Sequence, residues 1–185
     1  MKNISLAIPT YNSSRYLEEI FRGLFKDFKL QPFNEIVIND DKSEEAEFKK
    51  IVSLVSLYSE KYRKINFEIT QNSKNLGGFR NKYLTVKNCK NNLIYQIDSD
   101  NLIRKSTIKL LENTTFDSKV LYIPSNIYLL NDKKYLTKKI NLTTNYGQYP
   151  LDDIKNFLLN NTDISKNNLN WALGIGNPIF HKEDY

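Results

Sequence analysis

Short apolar runs alternate with longer segments of helical period across the first hundred residues, and no other feature of the sequence limits the possible folds as tightly. The runs ISLAI (4 to 8), EIVIN (35 to 39), INFEIT (65 to 70) and NLIYQI (92 to 97) have the length of strands. Residues 13 to 28 place Leu17, Ile20, Phe21, Leu24, Phe25 and Phe28 at helical spacing, with Ser13 or Ser14 placed to cap that helix. A second helix is expected over 44 to 62, with Ile51, Leu54, Val55 and Tyr58 on one face, and a third opens at Gly77-Gly78 and runs to about Asn88.

Strands separated by helices predict crossover connections and a mostly parallel central sheet flanked by helices, a Rossmann-like α/β fold. In such sheets the ligand crevice lies beyond the carboxyl ends of the strands. The polar residues of this sequence gather there: Thr10 to Asn12 after the first strand, Asp40 and Asp41 after the second, Asn72 to Gly78 after the third, and Asp98 to Asp100 after the fourth. Beyond residue 101 the pattern loosens. A helix is expected over 106 to 114, one or two strands over 120 to 131, an amphipathic helix over 151 to 161 and a loop over 162 to 170.

A chain of 185 residues suits one domain. It contains no apolar run long enough to span a bilayer, and its N-terminus lacks the layout of a signal peptide, so a soluble, cytoplasmic protein is expected. The single cysteine, Cys89, has no Cys or His at metal-ligand spacing and reads as a small buried hydrophobe. A net charge of +6 favours anionic partners, but the basic residues form no concentrated patch with interleaved aromatics, and no nucleic-acid partner is expected.

The run LIYQIDSDN (93 to 101) ends an apolar strand in two carboxylates, Asp98 and Asp100. Two readings fit. The pair can hold a divalent cation, since Mg²⁺ and Mn²⁺ bind through one or two carboxylates plus substrate phosphates. It can also form a solvated turn that caps the next helix. Asp40 and Asp41 present the same choice between ligand contact and helix capping.

Four segments, AIPTYN (7 to 12), EIVINDDKS (35 to 43), NLGGFRN (75 to 81) and IYQIDSDN (94 to 101), occur in an order and spacing that resemble the nucleotide-sugar-binding half of the family 2 glycosyltransferases, inverting enzymes of the GT-A fold. The resemblance implies one GT-A domain over 1–185, with 1–101 as the nucleotide-sugar-binding half and 102–185 as part of the acceptor side. It implies that Pro9, Thr10 and Tyr11 line the base pocket, and that Asp40 or Asp41 accepts a hydrogen bond from the base or a sugar hydroxyl. Gly77 would let backbone approach the ligand, and Arg80 would pair with the diphosphate, although a surface charge on the helix is an equal reading of Arg80. Asp98 and Ser99 would contact the ribose or sugar, and Asp100, with Asp98 beside it, would coordinate Mn²⁺ or Mg²⁺. Family members usually have Gly where Lys42 stands, so a different turn is expected there.

The implied reaction is metal-dependent, inverting transfer of a sugar from a nucleoside diphosphate sugar, with uridine as the expected nucleoside, to a polysaccharide or lipid-linked acceptor. A lipid-linked acceptor would bring the protein to the inner face of the membrane as a peripheral contact. Inversion needs a general base for the acceptor hydroxyl. In the family this is a carboxylate downstream of a segment that GIGNPIFHKEDY (174 to 185) resembles, so the base is expected beyond Tyr185 and the chain is expected to be a fragment or a reduced donor-binding domain. Glu183 and Asp184 are weaker candidates whose position better fits a helix start. His181 is a candidate second metal ligand or a structural histidine. Trp171 is a candidate sugar-stacking ring or a core anchor.

Rival classes fit less well. The turn IPTYNSS lacks the Gly-rich basic loop of nucleotidyltransferases and the G-x-G-x-x-G of dinucleotide dehydrogenases. A phosphoacceptor signalling domain would use the NDD element but has no need of Asp-Ser-Asp at the fourth strand.

Overall fold

The computed structural model describes residues 3–27, 32–118, 120–122, 126–130, 136–141, 148–150 and 178–184. The chain divides into two compact units, Met1–Phe116 and Asp117–Tyr185.

In the first unit β1 (Ile4–Thr10), β2 (Glu35–Asp40), β3 (Asn66–Gln71) and β4 (Leu93–Gln96) lie in the order β3-β2-β1-β4. All three pairings are parallel, with Ser5 opposite Glu35, Glu35 opposite Asn66, and Ile4 opposite Leu93. Parallel neighbours need crossovers, supplied by α1 (Ser14–Arg22), α2 (Glu45–Lys61) and α3 (Gly78–Asn88). Every residue of β1 and β2 is buried, so both faces of the central strands are covered. That explains the near-continuous apolar runs in place of an alternating pattern. Ile108 and Leu111 of α4 (Lys105–Asn113) are also buried.

The first helix is shorter than its apolar spacing predicts. It ends at Arg22 and continues as a wider π-helical turn over Gly23–Asp27. That turn buries Leu24 and stacks Phe25 on Tyr62 with ring centroids 4.1 Å apart. Phe21, fully buried, meets Tyr58 at 4.9 Å and Phe67 at 5.9 Å, which joins α1, α2 and β3 in one aromatic cluster. Capping also departs from expectation. Ser13 occupies the N-cap but makes no side-chain capping bond, and Ser14 Oγ instead donates to Glu47 in α2 at 2.6 Å. The expected strands and helices of 1–101 otherwise stand within one to three residues of their predicted limits. Cys89 is buried, as a small hydrophobe would be.

The second unit contains β5 (Val120–Tyr122), antiparallel to β8 (Gln148–Pro150) and to β9 (Ile179–His181), and a separate antiparallel pair of β6 (Asn126–Leu130) and β7 (Leu136–Asn141). The expected strands over 120 to 131 are therefore two. The helix expected over 151 to 161, the loop over 162 to 170 and Trp171 lie outside the described residues. No helix among the described residues is long and apolar enough to cross a membrane.

Candidate functional site

From β1 the chain steps outward to β2 and β3, then returns to place β4 on the other side of β1. Strand order reverses at this point, so the loops after β1 and β4 lead away from each other and leave a crevice between them. A cleft of about 400 Å³ opens there, with walls drawn from the loops after β1, β2, β3 and β4.

The end of β1 and the loop after it contribute Pro9, Thr10 and Tyr11, all expected from the sequence, together with Asn12, and the first turn of α1 adds Tyr16. Tyr11 is 53% exposed, which leaves a ring face open to a ligand. The loop is fastened to the one after β2: Asn12 N–H donates to Ser43 Oγ at 2.7 Å, and Glu44 N–H donates to Asn12 Oδ1 at 3.0 Å.

Asp40 and Asp41 are adjacent in sequence but do different work. Asp40 has no exposed surface and accepts from Thr10 Oγ1 (3.2 Å), Ser43 N–H (2.8 Å) and Gln71 Nε2 (2.9 Å), with a further bond from Ser43 Oγ. It is therefore a clamp between β1, β2 and β3, and the expected ligand contact does not fit it, because protein donors surround the carboxylate and it does not reach the cleft. Asp41 does line the cleft. Its carboxylate accepts from Asn72 Nδ2 at 2.7 Å and from the backbone N–H groups of Leu76 and Gly77 at 2.8 Å each, so it holds the NLGG loop in place. Next in sequence, Lys42 has φ +64°, the left-handed conformation that glycine favours.

Gly77 has φ +85° and lines the cleft just ahead of α3. Asn81, one turn into that helix, is buried; its Nδ2 donates to Asn39 O at 3.0 Å and Thr10 O at 3.3 Å, pinning α3 to the ends of β1 and β2. With Asn81, Thr85 and Val86 turned inward, Arg80 falls on the exposed face and is not part of the cleft wall. Of the two readings of Arg80, its exposure favours the surface position. Lys82 enters the cleft instead, and among the described residues of the wall it is the one basic side chain.

Asp98, Ser99 and Asp100 all line the cleft. Asn101 N–H donates to Asp98 O at 3.0 Å, closing a turn, and the next helix starts only at Lys105, so the acidic pair does not cap it. Lys82 Nζ lies 2.7 Å and 2.9 Å from the two oxygens of Asp98, with both side chains about four-fifths buried (18% and 20% exposed). Burial pushes the Asp98 carboxyl above its usual range, Lys82 opposes that rise, and Asp100 adds to it by repulsion. Two carboxylates that repel each other suit a hard divalent cation completed by phosphate oxygens. No group of three or more His, Cys, Asp or Glu side chains poised for a metal occurs among the described residues, so within them the cleft offers this pair.

In the second unit His181 ends β9, and Glu183, exposed, sits in the single 3₁₀ turn Lys182–Asp184. The helix-start position expected for Glu183 and Asp184 agrees with that turn. Tyr16, Asn81 and Lys82 were not anticipated as site residues. The signal for Lys82 was present: Thr85, Val86 and Cys89 set the inward phase of α3, and the positions four residues earlier are 81, 82 and 85.

Comparison with known proteins bears on the family and the fold. The model of the family described as glycosyl transferase family 2 matches residues 5–168. The poly(ribitol-phosphate) beta-N-acetylglucosaminyltransferase TarS of Staphylococcus aureus is 33% identical over 112 residues, covering 59% of this chain and 18% of TarS. The abequosyltransferase RfbV of Salmonella typhimurium is 27% identical over 175 residues, covering 94% of this chain and 49% of RfbV. The chain thus spans half or less of the length of these curated relatives. Among solved structures, the mannosyltransferase PcManGT of Pyrobaculum calidifontis, in complex with GDP-Man and Mn²⁺, superposes with a TM-score of 0.51 at 16% identity, over 64% of this chain and 34% of that one. With a match over most of its length and a mostly parallel sheet shared with that structure, the chain belongs to glycosyl transferase family 2 and has the GT-A fold.

Proposed function

We propose that this chain binds a nucleoside diphosphate sugar, with uridine diphosphate as the carrier, and serves metal-dependent, inverting transfer of the sugar to a polysaccharide or lipid-linked acceptor. The observation that carries the reading is that Tyr11, Asp41, Asp98 and Asp100, from three separate loops, share one cleft at the strand-order reversal. The names of two relatives support sugar transfer, and the GDP-Man bound to PcManGT supports a nucleotide-sugar donor.

In this proposal the Tyr11 ring stacks on the base beside Pro9 and Thr10. Asp41, already oriented by Leu76 and Gly77, accepts from the base imide through a remaining lone pair. Ser99 meets the ribose or sugar, and Gly77 lets the main chain approach the ligand. Asp98 and Asp100 would hold Mn²⁺ or Mg²⁺, which when bound supplies positive charge beside the departing diphosphate. The base that takes the acceptor proton is a carboxylate outside the described cleft wall, where Asp41 is committed to protein donors and Asp98 and Asp100 to the cation. Glu183 and Asp184 are the candidates within this chain. A lipid-linked acceptor would place the work at the cytoplasmic face of a membrane. The phosphoacceptor alternative fits poorly with Asp40, fully buried among protein donors, and with Asp41, whose carboxylate accepts from Asn72, Leu76 and Gly77.

Titration calorimetry with uridine diphosphate tests the reading. Binding is expected only with Mn²⁺ or Mg²⁺, and Asp100→Ala should weaken it at least about tenfold, or 1.4 kcal/mol. Equal affinity without the metal, or full metal-dependent affinity in Asp100→Ala, would overturn it.

A further inference from the structure

The Lys82–Asp98 pair poses a problem for any ligand of this cleft. Asp98 is one of two carboxylates available to a cation, yet both of its oxygens already face the Lys82 ammonium at 2.7 and 2.9 Å. The carboxylates of Asp98 and Asp100 with the Lys82 ammonium leave one net negative charge on this part of the wall. A divalent cation would reverse that sign, and the two phosphates of a sugar nucleotide would restore it. Lys82 is the residue free to rearrange: its charge sits on a flexible four-carbon stem, and α3 is pinned beside it by buried Asn81, so the backbone need not move.

We infer that Lys82 is an exchangeable counter-ion, paired with Asp98 while no cation is bound and transferred to the diphosphate of the donor when the cation takes Asp98. The inference deepens the proposed donor reading and rests on it. Once a doubly charged cation sits at Asp98, Coulomb repulsion drives the ammonium away, and the diphosphate is the anion that enters the cleft with the cation. Lys82 therefore has opposite effects on two ligands. It competes with the cation when the cation arrives alone, and it attracts the diphosphate when both arrive together.

The test compares the full chain with Lys82→Met and Lys82→Arg. Mn²⁺ alone is titrated by electron paramagnetic resonance, and uridine diphosphate and uridine are titrated calorimetrically with Mn²⁺ present. Lys82→Met is expected to bind Mn²⁺ alone several-fold more tightly, to bind uridine diphosphate about tenfold more weakly, and to bind uridine unchanged. Lys82→Arg, which keeps the charge, should stay close to the wild type for all three. Unchanged or weaker Mn²⁺ binding in Lys82→Met would overturn the exchange, as would equal losses for uridine and uridine diphosphate. If the wild type binds Mn²⁺ but no uridine diphosphate, the donor reading falls with the diphosphate half of the inference, and the Mn²⁺ comparison still decides the competition at Asp98. Circular dichroism monitors folding, and Lys82→Gln, which keeps a donor for Asp98, carries the same comparison should Lys82→Met not fold.

Discussion

The backbone N–H of Gly77 donates to the Asp41 carboxylate at 2.8 Å, across thirty-six positions of sequence. Through that bond and its neighbour from Leu76, the end of β2 determines where the loop ahead of α3 stands. The carboxylate expected to read the base thus also shapes the wall beside it. Asp41→Ala should free the amides of Leu76 and Gly77 and destabilise the fold by about 2 kcal/mol, the cost of leaving part-buried donors unpaired. Hydrogen exchange at these two amides, with urea unfolding alongside, is the measurement; unchanged protection would refute the tether.

Lys42 adopts φ +64° because the Ser43 N–H and hydroxyl both turn back to Asp40, and that reversal demands a left-handed residue. A side chain there costs about 1 kcal/mol. Lys42→Gly should raise stability by roughly that amount, less the added freedom of glycine in the unfolded chain, whereas Lys42→Ala should gain nothing. Urea midpoints of the two variants distinguish a backbone effect from a charge effect.

Asn81 donates to two main-chain carbonyls and accepts from the Asn39 and Asn72 side chains, all in a region nearly closed to water. Asn81→Leu would strand several buried polar groups and should cost about 3 kcal/mol. Thermal unfolding reads the loss. A near-neutral result would mean that water replaces the amide.

Arg80 and Lys82 are two residues apart on α3, one facing solvent and the other the cleft. Arg80→Ala should leave stability within about 0.5 kcal/mol of the wild type, as surface substitutions do, and leave Mn²⁺-dependent uridine diphosphate binding unchanged. A tenfold loss of that binding would return the diphosphate contact to Arg80.

The four strands and three crossover helices of the first hundred residues were legible because hydrophobic period is a local property. Burial on both faces, as in β1 and β2, leaves a continuous apolar run that can be read without knowing the partner strands. The shortening of α1 was not legible, since the π-helical turn at Gly23–Asp27 accompanies the stacking of Phe25 on a ring of α2. The site was half legible. Tyr11, Asp41, Gly77, Asp98, Ser99 and Asp100 were placed by the rule that ligands meet strand ends, and all six line the cleft.

The sequence alone determined which strand ends carry polar groups, and hence where a ligand would sit, because strand and helix periods are written in neighbouring residues. Which of Asp40 and Asp41 faces the cleft, and whether Arg80 or Lys82 enters it, was decided only by the tertiary structure. Those choices depend on hydrogen-bond donors thirty or more residues away, such as Gln71 for Asp40 and Gly77 for Asp41, and on the rotation that Asn81 imposes on α3. No local pattern contains the positions of those partners.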